Sequence, residues 1–335
     1  NPPAAAQIKG PDIQEWGELG LLTDLNDVAT EQKWDSLLPK QVADVMKYDG
    51  DYVAVPINVH RVNWLWINPE VFAKAGATPP TTLEEFFAAA DKLKAAGFIA
   101  IAHGGQPWQE AIVFDSVALS TGGADYYRKA FIERDPATIR SATTRKVFQR
   151  MAQIRSLVDK DFSGRDWNVA SGMVIAGKAG FQIMGDWAKG EFLNAGKQPG
   201  KDFACYRFPG TQGMVAFSTD QFVMFRLSDA GKAAAQRKLA AAIMEPAFQS
   251  AFNVVKGAAP ARLDVADTAF DECGKKAIRD VAEADGRRSM LGSIALGHAT
   301  AASVKNAIYD VVTRHFNGQI DDARAVAELA SALAD

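Results

Sequence analysis

Tryptophan flanked by hydrogen-bonding side chains is the combination in this chain that could do chemistry. It occurs in Gln106-Pro107-Trp108-Gln109-Glu110 and in Gly185-Asp186-Trp187-Ala188, within a chain of seven tryptophans. A pyranose has one apolar C–H face and a rim of hydroxyls, so its binding needs flat indole faces together with Asp, Asn, Lys or His. Trp108 and Trp187 meet that requirement. Tryptophan more often fills a core, and Trp16, Trp34, Trp64, Trp66 and Trp167 are assigned to packing.

Other chemistries lack their residue patterns. The four histidines form neither HxxxH nor HExxH, and Cys205 and Cys273 have no CxxC or Cys/His spacing, so no metal centre is expected. The two thiols could pair in an oxidising compartment or stand as separate buried cysteines, and their spacing leaves both open. Neither GxGxxG nor GxxxxGK[ST] occurs, and Gly104-Gly105 and Gly122-Gly123 are isolated pairs, so no nucleotide or other cofactor is expected. A GxSxG elbow is missing too. Paired carboxylates acting on a glycosidic bond remain as the enzymatic alternative, because Asp and Glu are abundant.

Composition sets the frame for these side chains. A chain of 335 residues, 48% hydrophobic and 23% charged, is large enough for two globular lobes with separate cores. Its 37 basic and 40 acidic residues are scattered, for a formal net charge of -3, so no basic track for nucleic acid exists. Its longest apolar runs fall far short of the roughly 20 residues of a membrane helix.

The chain alternates strand and helix, which predicts an α/β fold. Strands are expected at 5–8, 52–57, 62–67, 180–184 and 221–226, with Asn58-Val59-His60-Arg61 as a polar crossing between two of them. A helix follows Pro79-Pro80, capped at Thr81 or Thr82 with Glu84 or Glu85 three residues on, and it ends at Gly97. Further helices are expected at 109–121, 143–158, 187–195, 229–244, 301–315 and 321–333. Ser228 should cap the fourth of these and Pro246 terminate it. Asn317-Gly318 marks the turn before the last one.

Motifs along the whole length add a family resemblance. Gln7-Ile8-Lys9-Gly10-Pro11-Asp12, Tyr52-Val53-Ala54-Val55-Pro56, the run from Trp64 to Phe72, and Lys74-Ala75-Gly76 come first. Gly104-Gly105-Gln106-Pro107-Trp108, Met184-Gly185-Asp186-Trp187, Ser218-Thr219-Asp220-Gln221-Phe222 and the run from Lys256 to Arg262 follow in order. In this order and spacing the chain resembles the extracellular solute-binding proteins of ABC importers, of the maltose-binding type, and specifically their glucose-binding branch in pseudomonads and Thermus.

The resemblance implies a two-lobe periplasmic-binding-protein fold of type II with crossing hinge strands. One lobe would take residues 1–58 and 222–283 and the other 61–218 and 286–335, with crossings near 58–61, 217–221 and 283–288. It further implies a periplasmic monomer that holds glucose or a similar monosaccharide between the lobes and delivers it, unchanged, to an ABC permease in the inner membrane. A chemosensory adaptor would use the same binding chemistry with a different partner. Position by position, Lys9, Trp187, Asp220, Lys256 and His298 match ligand-contacting residues, His60 and Trp108 stand second, and His103 and His315 are expected to be structural. The resembling proteins open with a strand–helix unit bearing paired tryptophans and an acidic residue, ahead of the position of Asn1. Without that unit, sugar affinity is expected to be weakened or lost.

Overall fold

The computed structural model describes residues 3–334. Its strands run, in chain order, β1 (Ala5–Gln7), β2 (Lys47–Tyr48), β3 (Asp51–Tyr52), β4 (Ala54–Pro56), β5 (Asn58–Arg61) and β6 (Trp64–Ile67). Then come β7 (Ile99–Ala102), β8 (Ala179–Ile183), β9 (Ala204–Arg207), β10 (Val215–Ser218), β11 (Gln221–Met224), β12 (Ala259–Pro260) and β13 (Met290–Gly292). Helices lie between half of the consecutive pairs, and strand and helix mix along the whole chain, so the α/β expectation holds.

Three sheets carry the architecture. One is antiparallel, in the order β1-β11-β4. A second, β7-β8-β6-β9, pairs β7 parallel to β8 and sets β6 antiparallel to both β8 and β9. Between them lies β12-β5-β10-β13. Two of its strands run directly into the other two sheets: β4 leads through Ile57 into β5, β5 through Val62 and Asn63 into β6, and β10 through Thr219 and Asp220 into β11. The chain thus forms two lobes joined by crossing strands.

The stretch expected as a polar crossing, Asn58–Arg61, is itself strand β5, buried throughout and laddered to β10 and β12. Its polar side chains are tolerated because each finds a partner inside. The helix Leu83–Ala95 forms as its sequence predicts. Thr82 accepts from Glu85 N at 3.2 Å while the Glu85 carboxylate accepts from Thr82 N at 3.2 Å, and Gly97 closes it at φ 85°. Its apolar face lies on the second sheet, with the Phe86 ring 5.0 Å from that of Phe181.

Two local expectations change. Asp229, rather than Ser228, caps the helix Ala230–Ile243, its carboxylate accepting from Lys232 N at 2.8 Å. Pro246 ends nothing. It is the first residue of a further helix, Pro246–Lys256, where a missing N–H costs nothing and the fixed φ suits a helix start. The helix Glu272–Gly286 is anchored at several points. Cys273 at its start is disulfide-bonded to Cys205 of β9, Lys276 donates to Cys205 O at 2.8 Å, and Asp280 accepts from Arg207 Nε at 2.9 Å. Asp280 also pairs with the buried Arg61 guanidinium of β5. These contacts fasten the helix to the second sheet and the central one, and the question of the two thiols is settled in favour of pairing.

Candidate functional site

The two-residue link between β10 and β11 places Asp220 where the sheets meet. Its carboxylate collects donors from three parts of the chain. Oδ1 accepts from Gln7 Nε2 at 2.7 Å and lies 3.0 Å from Lys9 Nζ, both at the end of β1. Oδ2 accepts from Asn58 Nδ2 at 3.0 Å, stands 3.0 Å from His60 Nε2, and is 3.3 Å from Lys256 Nζ. Asn58 also fixes the main chain here, its Oδ1 accepting from Asp220 N at 2.8 Å. Burial resists the charge on Asp220, but His60, Lys9 and Asn58 outweigh it and hold the carboxyl far below the usual carboxylate range.

His60 links this carboxylate to a second one. Its Nδ1 is 2.5 Å from Asp186 Oδ1, while Asp186 Oδ2 accepts from Arg61 N at 2.8 Å. Burial alone would lower the His60 pKa, yet Asp186 and Asp220 raise it to about 8. The imidazole is therefore a cation at neutral pH, held between two carboxyl groups.

Trp187 follows Asp186 and lies edge-on to His60, with ring centroids 5.4 Å apart and planes at 86°. Gly185 makes this pose possible. A Cβ there would come within 2.1 Å of the indole, so the ring folds over a residue that has no side chain. Trp108, in the first turn of the helix Pro107–Tyr127, has its ring 6.5 Å from that of Trp187 and donates Nε1–H to Gln106 Oε1 at 2.8 Å. Both indoles are only partly buried.

Lys256 is the last residue of its helix, and Gly257 ends that helix at φ 89°. A Cβ on Gly257 would meet Asp186 O at 3.1 Å, so this glycine also lets the lysine-bearing turn close against the Asp186 segment. His298 sits in the loop after β13. Its Nε2 accepts from Thr219 N at 3.2 Å and its Nδ1 donates to Leu296 O at 3.1 Å, which occupies both ring nitrogens with main chain. Burial and the nearby Lys9 push its pKa down to about 3, so it is neutral. Gly10 packs on the same loop, where a Cβ would come within 2.1 Å of Gly297 O.

All seven residues singled out in the sequence are thus joined in one cluster. Lys9, Lys256 and His60 touch Asp220 directly, His298 holds the residue before it, and Trp187 and Trp108 extend from His60. His103 and His315 lie elsewhere, His103 beside Phe162 and Phe316 and His315 against Asp322. Sequence reasoning missed Gln7, Asn58 and Asp186 as members. Period-two alternation could have found Asn58, which shares a face of β5 with His60. An open groove of about 620 Å³, lined by Lys9, Trp16 and Ala302, adjoins the cluster.

The geometry is a network of fixed charges beside two partly exposed indoles. The family model for bacterial extracellular solute-binding proteins matches residues 1–243. The chain belongs to that family. As a member it is a periplasmic solute-binding protein and not an enzyme. A probable sugar-binding periplasmic protein of Brucella melitensis is 56% identical over 333 residues, covering 99% of this solute-binding protein and 79% of the relative. One of Rhizobium meliloti is likewise 56% identical, over 99% of this chain and 80% of its own length.

Among solved structures, the solute receptor AcbH, which has an exclusive preference for β-D-galactopyranose, superposes with a TM-score of 0.84 at 20% identity. That match covers 99% of this chain and 83% of AcbH. The maltose-bound T. maritima MalE3 has a TM-score of 0.78 at 20% identity, over 99% and 84% of the two chains. These likenesses establish the two-lobe fold.

Proposed function

We propose that this periplasmic protein binds a glucose-like monosaccharide at the Asp220 cluster and releases it, chemically unchanged, to the permease of an ABC importer. The observation that carries the reading is the composition of the cluster. A carboxylate shared by two lysines and an imidazolium lies beside two indoles, which supplies charge-assisted partners for hydroxyls and apolar faces for a pyranose ring. Lys9 keeps 32% and Lys256 40% of its side-chain surface exposed. Each can therefore turn from Asp220 toward a ligand.

In this reading His298, Asn58 and His60 orient Asp220, while Lys9, Asp220 and Lys256 provide the polar contacts and Trp187 and Trp108 the stacking faces. We place the first two lobe crossings at 58–61 and 217–221. The third is drawn along 259–271, ahead of the helix anchored by Cys273, in place of 283–288. Sugar contacts from both lobes favour the closed form, and the permease reverses the balance by holding the lobes apart.

Isothermal titration with D-glucose, D-galactose, D-mannose and a neutral disaccharide tests the proposal. Binding of a monosaccharide is expected, with glucose preferred and about tenfold or greater loss in Asp220→Asn, where a charge-assisted acceptor is removed. If no monosaccharide binds, the proposal fails.

A further inference from the structure

Asp115 lies midway along the helix Pro107–Tyr127 with no exposed surface. Its carboxylate receives four donors: the Ser293 hydroxyl at 2.5 Å, the Tyr127 hydroxyl at 2.7 Å, and the N–H groups of Ile294 at 3.1 Å and Ala295 at 3.2 Å. Three of these come from the single loop that follows β13. A buried carboxylate is costly unless its lone pairs are met, so this loop and Asp115 hold each other in place. Burial pushes the Asp115 carboxyl up to about 6 against those donors, which leaves it ionised at neutral pH.

The loop is folded around the same point. Ser293 Oγ accepts from Leu296 N at 3.0 Å, and Ser293 O accepts from His298 N at 2.8 Å and Ala299 N at 3.2 Å. Tyr309, from the helix Ala302–Phe316, donates its hydroxyl to Ala295 O. Gly292 leaves room for the return of the chain, since a Cβ there would come within 2.2 Å of His298 O. The loop ends by presenting His298 Nε2 to Thr219 N, one residue before Asp220.

We propose that Asp115 is a positioning residue of the sugar site, acting through the 293–299 loop and His298 on the main chain at Thr219–Asp220. This rests on the function proposed above. It assigns a role to a carboxylate that touches neither the lysines nor the indoles. A purely structural Asp115 would affect the stability of its helix and leave the Thr219 amide unaltered.

Two readouts decide it. Amide hydrogen exchange at Thr219 and His298, followed by NMR without sugar, reports the positioning directly, with the amides of β7 as internal reference. Titration with D-glucose reports its effect on binding. In Asp115→Asn, exchange at Thr219 should quicken and affinity should fall, each by about tenfold or more, while β7 is unchanged. Ser293→Ala keeps the carboxylate, removes one donor, and should give a smaller change in the same direction.

Wild-type exchange at Thr219 in Asp115→Asn overturns the proposal, whatever the affinity. If Asp115→Asn does not fold, Ser293→Ala decides by the same criterion. Wild-type protein that binds no sugar would count against the proposed function, and the exchange measurement would still judge the positioning.

Discussion

His60 stands within bonding distance of two carboxylates, Asp186 through Nδ1 and Asp220 through Nε2. Its pKa rises from 6.5 to about 8 on folding, so the folded protein holds this proton more tightly than the unfolded chain does. The resulting stabilisation is complete below about pH 6.5 and disappears as pH rises through 8. Its size follows from the shift, about 2 kcal/mol. Urea unfolding at a series of pH values from 6 to 9 should therefore show a decline that His60→Gln lacks. An equal decline in both proteins would show that other groups cause it. His60 ranked only second among the candidate residues because sequence placed it on a crossing but could not show what it faces. Asp186 was passed over beside a conspicuous tryptophan for the same reason: its partner lies 126 residues away in sequence.

At the scale of elements, the Glu272–Gly286 helix is tied to β9 by the Cys205–Cys273 bridge, which spans 68 residues. Closing a loop of that length restricts the unfolded chain, and removing the bridge typically costs about 2–5 kcal/mol. The double variant Cys205→Ala/Cys273→Ala should unfold at a distinctly lower denaturant concentration. The same midpoint as wild type would mean that Arg207–Asp280 and Lys276 hold the helix unaided. Helices with a capping box or a long apolar face were legible, as at Thr82 and Leu83–Ala95, because their signals are local. Strand β5 was not. It is polar, and what makes it a strand is pairing with β10 and β12, residues that lie far along the chain. Pro246 was misread for a related reason, since a proline that would end one helix also starts the next.

For the molecule as a whole, the proposed closure on sugar is expected to act at the edges of the central sheet. Ile57, Val62–Asn63 and Thr219–Asp220 join that sheet to its neighbours, so a change of lobe angle taken up there would leave both outer sheets rigid. Small-angle scattering should show a smaller radius of gyration with bound sugar than without. An unchanged value at saturating sugar would exclude lobe closure. The two-lobe plan was legible from motif order, whereas the course of the third crossing depends on the anchorage of one helix. That anchorage also bears on the protein's life history. A reducing cytosol keeps Cys205 and Cys273 as thiols, and an oxidising compartment lets them pair. The bridge that clasps this helix to β9 is therefore one that periplasmic conditions allow and cytosolic ones withhold.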